Sequence, residues 1–131
     1  MESIDKLIEH ARRVRENSFS PYSGFAVGVA LEAADGSIFA GCNVESASYG
    51  MTVCAERNAI FTAVAAGGRE FTRLAIVADT ETLTPPCGAC RQIIWEFCGD
   101  IPVILADLTG RSETVRMGEL FPQPFDANFL K

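Results

Sequence analysis

Two short, wholly apolar segments constrain the fold of this chain more than any other feature of its sequence. They are Leu74–Ala78 and Val103–Ala106, and a helix is predicted between them over Gly88–Cys98. Strands that are apolar at every position have both faces covered, as in the centre of a parallel sheet. A strand, a helix and a strand in succession predict a right-handed parallel crossover. The chain is therefore expected to be an α/β protein.

The preceding segments extend this sheet and cover it. After a capping Ser3, apolar residues recur at steps of three and four from Ile4 to about Asn17, which predicts an amphipathic helix. Two strand-like segments, Phe25–Ala33 and Ser37–Val44, flank the turn signal Asp35-Gly36 and predict an antiparallel pair. The sheet is therefore expected to be mixed.

A further helix is predicted over Val53–Ala66, and it is apolar on nearly every face, so it should be buried on most sides. Thr80–Pro86 is predicted to be a loop, Glu113–Arg116 a weak strand, and Met117–Leu120 a short helix before a proline-containing tail. The 131 residues suit one domain. We expect residues 1–131 to form a single three-layer α-β-α sandwich with one mixed five-stranded sheet.

Three of the five cysteines have the spacing of a metal site. Cys54 begins one predicted helix, and Cys87 and Cys90 begin the next, about thirty residues later; a strand–helix crossover unit of roughly that length brings two helix starts together. Residues i and i+3 share a helix face, so Cys87 and Cys90 can bind one tetrahedral zinc ion. Three protein ligands leave a position for water, as in catalytic zinc sites. Cys42 and Cys98 are interpreted as small buried apolar residues.

Two charged residues follow the first of these cysteines. Glu56 is badly placed to be a fourth ligand, but its side chain can reach a bound water and carry its proton. Arg57 can donate to a thiolate. A lone Cys-x-x-Cys also fits a redox motif or half of a structural zinc ribbon, but a second Cys-x-x-Cys is lacking. The only histidine, His10, is interpreted as a solvated helix residue.

These residues resemble the zinc nucleoside deaminase signature, in which Cys-Ala-Glu is followed by Pro-Cys-x-x-Cys. With Cys54 rather than histidine as the first ligand, the chain is similar to the short, homotetrameric cytidine deaminases. Pro21–Gly28 resembles that family's substrate segment, Gly41–Gly50 its ribose-binding segment and Leu120–Phe125 its C-terminal motif.

The resemblance implies a role for each matching residue. Within one chain, Phe25 is implied to pack on the pyrimidine, and Asn43 and Glu45 are implied to bind the ribose 3′-hydroxyl. Ala55 is also implied to contact the nucleoside. Residues implied to reach a neighbouring subunit's site in a homotetramer with shared active sites are Ala47, Tyr49 and Phe125. Residues implied to steady the metal shell are Arg57 and Gln92.

The implied reaction is zinc-dependent hydrolysis of cytidine or 2′-deoxycytidine to uridine or 2′-deoxyuridine and ammonia, as in pyrimidine salvage. No organic cofactor is needed. Ala26 and Ser46 depart from the family's common residues, which leaves open a related aminopyrimidine nucleoside such as blasticidin S, or a modified cytidine, as the substrate.

Charge and hydropathy exclude other partners. The net charge of −6 argues against a polynucleotide substrate, because phosphate backbones are bound mainly by lysine and arginine. No stretch approaches the roughly 18 apolar residues of a membrane span. Acidic residues stand among the first five positions, where a signal peptide needs positive charge. A cytoplasmic enzyme acting on a small nucleoside is therefore expected.

Overall fold

A computed structural model describes residues 3–130. The helices are α1 (Ile4–Arg15), α2 (Ala55–Ala65), α3 (Gly88–Cys98) and α4 (Met117–Leu120), with 3-10 turns at Tyr49–Met51 and Ala127–Leu130. The strands are β1 (Val27–Ala33), β2 (Ile38–Cys42), β3 (Phe71–Ala78), β4 (Pro102–Ala106) and β5 (Ser112–Arg116). Every predicted helix and strand is present, with ends that shift by a few residues. None of the helices within the described residues is both long and apolar enough to span a bilayer.

The sheet order is β2-β1-β3-β4-β5. β3 and β4 pair in parallel, whereas β1 is antiparallel to both β2 and β3, and β5 is antiparallel to β4. It follows that β2, β3 and β4 run in the same direction and end at the same edge of the sheet. The predicted parallel pairing of the two apolar segments and the mixed five-stranded sheet are confirmed.

Helices cover both faces of this sheet, so the predicted three-layer architecture is also confirmed. Successive residues of a strand point to opposite faces, and β3 and β4 supply both cores. The core under α1 contains Leu7, Ala11, Ala30, Ala75, Val77, Ile104 and Ala106. The larger core under α2 and α3 includes Val29, Leu31, Ile60, Leu74, Ile76, Ile94 and Val103.

A glycine allows α2 to lie directly on the sheet. A Cβ atom at Gly41 would overlap the backbone nitrogen of Ala59 and would lie 2.9 Å from the carbonyl oxygen of Ala55. The Asn58 side chain then donates to the Cys42 carbonyl at 2.8 Å. Since α2 follows β2 and α3 follows β3, both helices begin at the shared carboxyl edge of the parallel strands, the usual position of a site in such folds.

Candidate metal centre and substrate chamber

Three thiols meet where α2 and α3 begin. Cys54 is the N-cap residue of α2, Cys87 is the N-cap residue of α3, and Cys90 lies buried in the first turn of α3. Their sulfur atoms all lie within 4.8 Å of one another, and the Cys54 and Cys87 sulfurs are 4.0 Å apart. Tetrahedral zinc with bonds of about 2.3 Å places its sulfur ligands about 3.8 Å apart. The three cysteines therefore fit a zinc ion.

The surroundings of the cluster favour thiolate at Cys54. Hydrogen bonds from Cys90 and Arg57 outweigh burial and lower the pKa of Cys54 to about 5. The hydrogen bond to Cys54, together with burial, raises the pKa of Cys90. Arg57 Nη2 lies 3.7 Å from the Cys54 sulfur and 3.3 Å from the Thr52 carbonyl oxygen. The Arg57 Nε is buried without a hydrogen-bond partner among residues 3–130. A cation bound by three thiolates here would reduce the repulsion between them. The free N–H groups at the N-termini of α2 and α3 carry partial positive charge and act in the same direction.

Glu56 lies beside the cluster in the first turn of α2 and is only 5% exposed. The N-cap Cys54 has an extended backbone, with φ −69° and ψ 156°, so the angular separation of an ideal helix does not apply to this pair. Both side chains line one cavity as a result. Burial raises the pKa of Glu56 to about 7, and the charge of the nearby Cys54 adds to the increase.

A cavity of about 240 Å³, here called the chamber, opens at the cluster. Its walls are formed by Ser23, Phe25, Val27, Asn43, Glu45, Thr52, Cys54, Ala55, Glu56, Ile76, Thr84, Pro85 and Cys87. A second cavity of about 300 Å³, here called the vestibule, shares Ser23, Glu45 and Thr52 with the chamber. Tyr22 and Tyr49 complete the vestibule with ring centroids 5.9 Å apart. The two cavities therefore adjoin at these three shared residues.

Asn43 and Glu45 hold the wall of the chamber as well as lining it. The Asn43 carboxamide oxygen accepts from Val27 N at 2.9 Å and Ser18 Oγ at 2.6 Å, while its Nδ2 donates to the Phe25 carbonyl at 2.7 Å. One Nδ2 hydrogen is left over for a ligand.

The Glu45 carboxylate ties down the loop before β1. It accepts from the backbone nitrogens of Tyr22, at 2.9 Å, and Ser23, at 3.1 Å, and from the Ser23 hydroxyl. These bonds lower the pKa of Glu45, with the Ser23 hydroxyl contributing most. In the sequence, Asn43 and Glu45 are only alternating polar residues at a strand end, and this pattern does not predict that Glu45 holds the loop.

The structure brings most of the predicted site residues to these two cavities. The chamber contains Cys54, Cys87, Glu56, Phe25, Asn43, Glu45 and Ala55. Tyr49 lines the vestibule, whereas Ala47 is exposed and is not among the lining residues of either cavity. Chamber residues that received no role from the sequence include Ser23, which lies within the predicted substrate segment, and Thr52, Ile76 and Thr84, which belong to none of the quoted motifs.

Gln92 and Phe125 lie apart from the chamber of their own chain. Gln92 Nε2 donates to the Phe125 carbonyl at 2.8 Å, and the Phe125 ring stacks on Phe129 at 5.5 Å. Their predicted roles at the metal shell and at a neighbouring site stay predictions.

The other cysteines and the histidine lie elsewhere. No disulfide forms within residues 3–130, and Cys42 and Cys98 are half-buried. Burial raises the pKa of Cys98 to about 12, so its thiol stays neutral. His10 is exposed on α1.

Comparison with known proteins agrees with this site. Residues 1–105 match the family described as "Cytidine and deoxycytidylate deaminase zinc-binding region". A cytidine deaminase of Sporosarcina psychrophila is 51% identical over 128 residues, which cover 97% of this chain and 94% of that protein. One of Halalkalibacterium halodurans is 48% identical over 122 residues, or 92% of each. The crystal structure of cytidine deaminase from Burkholderia pseudomallei has a TM-score of 0.91 at 44% identity, and covers 95% of this chain and 100% of its own.

With these matches, the fold and the thiol cluster define a zinc-binding enzyme. The chain belongs to the cytidine and deoxycytidylate deaminase family. The fold, the family and the zinc cofactor predicted from the sequence are thereby confirmed.

Proposed function

We propose that this protein hydrolyses the 4-amino group of cytidine and 2′-deoxycytidine, with release of uridine or 2′-deoxyuridine and ammonia. One observation carries the proposal: a buried carboxylate, Glu56, lines the same 240 Å³ chamber as two of the three clustered thiols, Cys54 and Cys87. A purely structural zinc site normally has four protein ligands and needs no carboxylate beside it.

The reaction follows from what these residues can hold and move. Cys54, Cys87 and Cys90 would hold the zinc ion, which would supply the Lewis acidity that makes water a nucleophile near neutral pH. Glu56 accepts the proton given up by that water and delivers it to N3 of the ring, which makes C4 electrophilic. After addition at C4, Glu56 takes the proton of the new C4 hydroxyl and carries it to the amine, and the C4–N bond breaks as the C4 carbonyl forms, which releases ammonia. One water is consumed for each ammonia formed.

The remaining chamber residues fit a nucleoside. Phe25 would pack on the pyrimidine, and Ala55 would contact its edge. The spare Nδ2 hydrogen of Asn43 and the Glu45 carboxylate would bind the ribose 3′-hydroxyl, so the side chains that hold the wall would also recognise the sugar. Arg57 would balance the charge of the thiolates, and its buried Nε, which has no hydrogen-bond partner in the described part of the chain, supports this role.

A substrate panel tests the proposed reaction. Ammonia release is measured with the zinc-loaded protein and cytidine, 2′-deoxycytidine, cytosine, adenosine or blasticidin S. We expect turnover of the first two, with Glu113→Gln on the exposed strand β5 as a control that retains it. Turnover of blasticidin S alone, or of none of the five, would refute the assignment.

We further infer a homotetramer in which subunits complete each other's sites. The vestibule is open, Tyr49 is 75% exposed, and Phe125 is 55% exposed on a tail with two prolines. The sheet and α3 cover most of α2 but leave Phe61 exposed, where it meets Phe97 edge to face at 6.4 Å. Exposed aromatic surface of this kind marks interfaces. Ala47 and Tyr49 would close a neighbour's vestibule, and Phe125 would cover its base.

Subunit mixing tests this assembly. Glu56→Gln and Phe125→Ala variants, each impaired alone, are mixed under conditions that exchange subunits. Shared sites predict recovered activity, because some sites then combine an intact Glu56 with a neighbour's intact Phe125. No recovery after proven exchange would contradict shared sites.

The proposal also places the enzyme in the cytoplasm, where free nucleosides are salvaged. Cell fractionation followed by the cytidine assay checks this location. Activity recovered with membranes or outside the cell would contradict it.

A further inference from the structure

Thr84 is a polar chamber residue that the mechanism above does not use. It is half-buried in the loop between β3 and α3, three residues before Cys87. Its hydroxyl oxygen lies 2.8 Å from that of Thr80, and either can be the donor. A hydroxyl donates once and accepts twice, so Thr84 keeps a lone pair for another partner in both cases.

Other polar side chains of the chamber already have structural tasks. The Asn43 carboxamide joins Ser18 and the chain around β1, and Glu45 anchors the loop that contains Ser23. The Thr52 hydroxyl accepts from the backbone nitrogen of Ser46 at 3.2 Å. The Thr84 side chain, in contrast, is bonded only to the Thr80 hydroxyl among the described residues. Either hydroxyl can be the donor, so the direction of this bond can change when a ligand binds Thr84.

Arg111 holds the loop that carries Thr84 in place. Arg111 Nε donates to the buried Asp107 carboxylate at 2.6 Å, and its Nη2 donates to the carbonyls of Thr80, at 3.2 Å, and Glu81. The partner hydroxyl of Thr84 therefore sits on a segment clamped to the β4–β5 turn. A group held in this way loses little freedom when it binds a ligand.

The position and chemistry of this wall match an amine. Pro85 and Pro86 follow Thr84 and have no N–H, so the stretch leading to Cys87 offers acceptors rather than backbone donors. The exocyclic amine of cytosine presents two N–H donors and is bonded to C4, the carbon attacked at the thiol end of the chamber. An acceptor at this end of the chamber would therefore meet the amine.

We propose that Thr84 accepts a hydrogen bond from the exocyclic amine of the nucleoside and so selects rings with a 4-amino group. The inference rests on the proposed function and adds a specificity-determining residue to it. The contact orients the amine before protonation by Glu56.

The test compares ligands that differ only at this substituent. Thr84→Val keeps the shape and removes the hydroxyl, Thr84→Ser keeps the hydroxyl, and Thr114→Val on exposed β5 is the matched control. We measure kcat/KM for cytidine, and, in a Glu56→Gln background, the dissociation constants of cytidine and of 2-pyrimidinone riboside, which has hydrogen in place of the amine.

Loss of one hydrogen bond corresponds to about a three- to tenfold change. We expect Thr84→Val to weaken cytidine binding and kcat/KM by that factor and to leave the unsubstituted riboside within twofold, with no change in the serine variant or the control. Unchanged cytidine binding, or equal weakening of both ligands, would overturn the proposal. If the wild-type protein lacks turnover but Thr84→Val still selectively weakens cytidine binding, the proposed reaction fails and the amine contact stands.

Discussion

The close approach of α2 to β2 at Gly41 predicts that one added methyl group there will disable the site. In Gly41→Ala the new Cβ would meet backbone atoms of Asn58, at 2.8 Å, and Ala55, at 2.9 Å. These atoms belong to a helix and cannot rotate away as a side chain would. Restoring ordinary contact of 3.4–4 Å requires α2 to move by about 1 Å.

This displacement affects both stability and chemistry. Overpacking of this kind costs about 1–3 kcal/mol, which for a domain of this size lowers the melting temperature by roughly 5–15 °C. Because Cys54 caps α2 and Glu56 lies in its first turn, the same shift moves a proposed metal ligand and the proposed proton carrier. A misplacement of about 1 Å can cost about 100-fold in rate, and we expect a loss of that order in kcat/KM for cytidine.

Thermal unfolding, zinc content and deaminase assays measure these effects. Ser112→Thr is the control, because it adds one methyl group at an exposed position of β5, away from the chamber. If Gly41→Ala matches Ser112→Thr in melting temperature and activity, Gly41 does not set the position of α2.

Three further predictions concern single side chains. Cys87→Ala should lose zinc, and elemental analysis showing unchanged zinc would remove this residue from the ligand set. Glu56→Gln should retain zinc but turn over cytidine at least about 100-fold more slowly, since it cannot carry protons; near-normal turnover would refute that role. At Asp107, hydrogen bonds from Thr109 and Arg111 outweigh burial and hold the carboxyl pKa below its usual range. The stabilisation is therefore present above the unfolded pKa of about 3.9 and is lost as the pH falls through the folded value. The melting-temperature difference between wild type and Asp107→Asn should narrow from pH 7 to pH 3, and a constant difference would contradict this assignment.

The sequence predicted the elements and the metal ligands because both leave local patterns. Continuous apolar segments such as Leu74–Ala78 arise when a strand is covered on two faces, and the structure places helices on both. The spacing of Cys87 and Cys90 at a helix start reflects the helical repeat. Such signals depend on neighbours in sequence, so they are visible without the fold.

The features that the sequence did not predict depend on contacts between distant segments. The all-round apolarity of α2 did not show which of its residues the sheet and α3 cover: Ile60 is buried, whereas Phe61 is exposed. Thr84 was predicted only to lie in a loop, because a lone threonine beside prolines has no pattern that marks a cavity wall.

By itself the sequence determined a mixed α/β sheet, a three-cysteine metal site and a glutamate beside it. Only the tertiary structure decided that Glu56 is buried in the same chamber as Cys54. This arrangement depends on the extended backbone of the N-cap residue Cys54 and on the close packing of α2 against Gly41. It also decided that Asn43 and Glu45 brace the loop that forms the chamber wall. The physical reason is that local propensity encodes periodicity and caps, whereas cavity shape and hydrogen-bond partners arise only when segments far apart in the chain pack together.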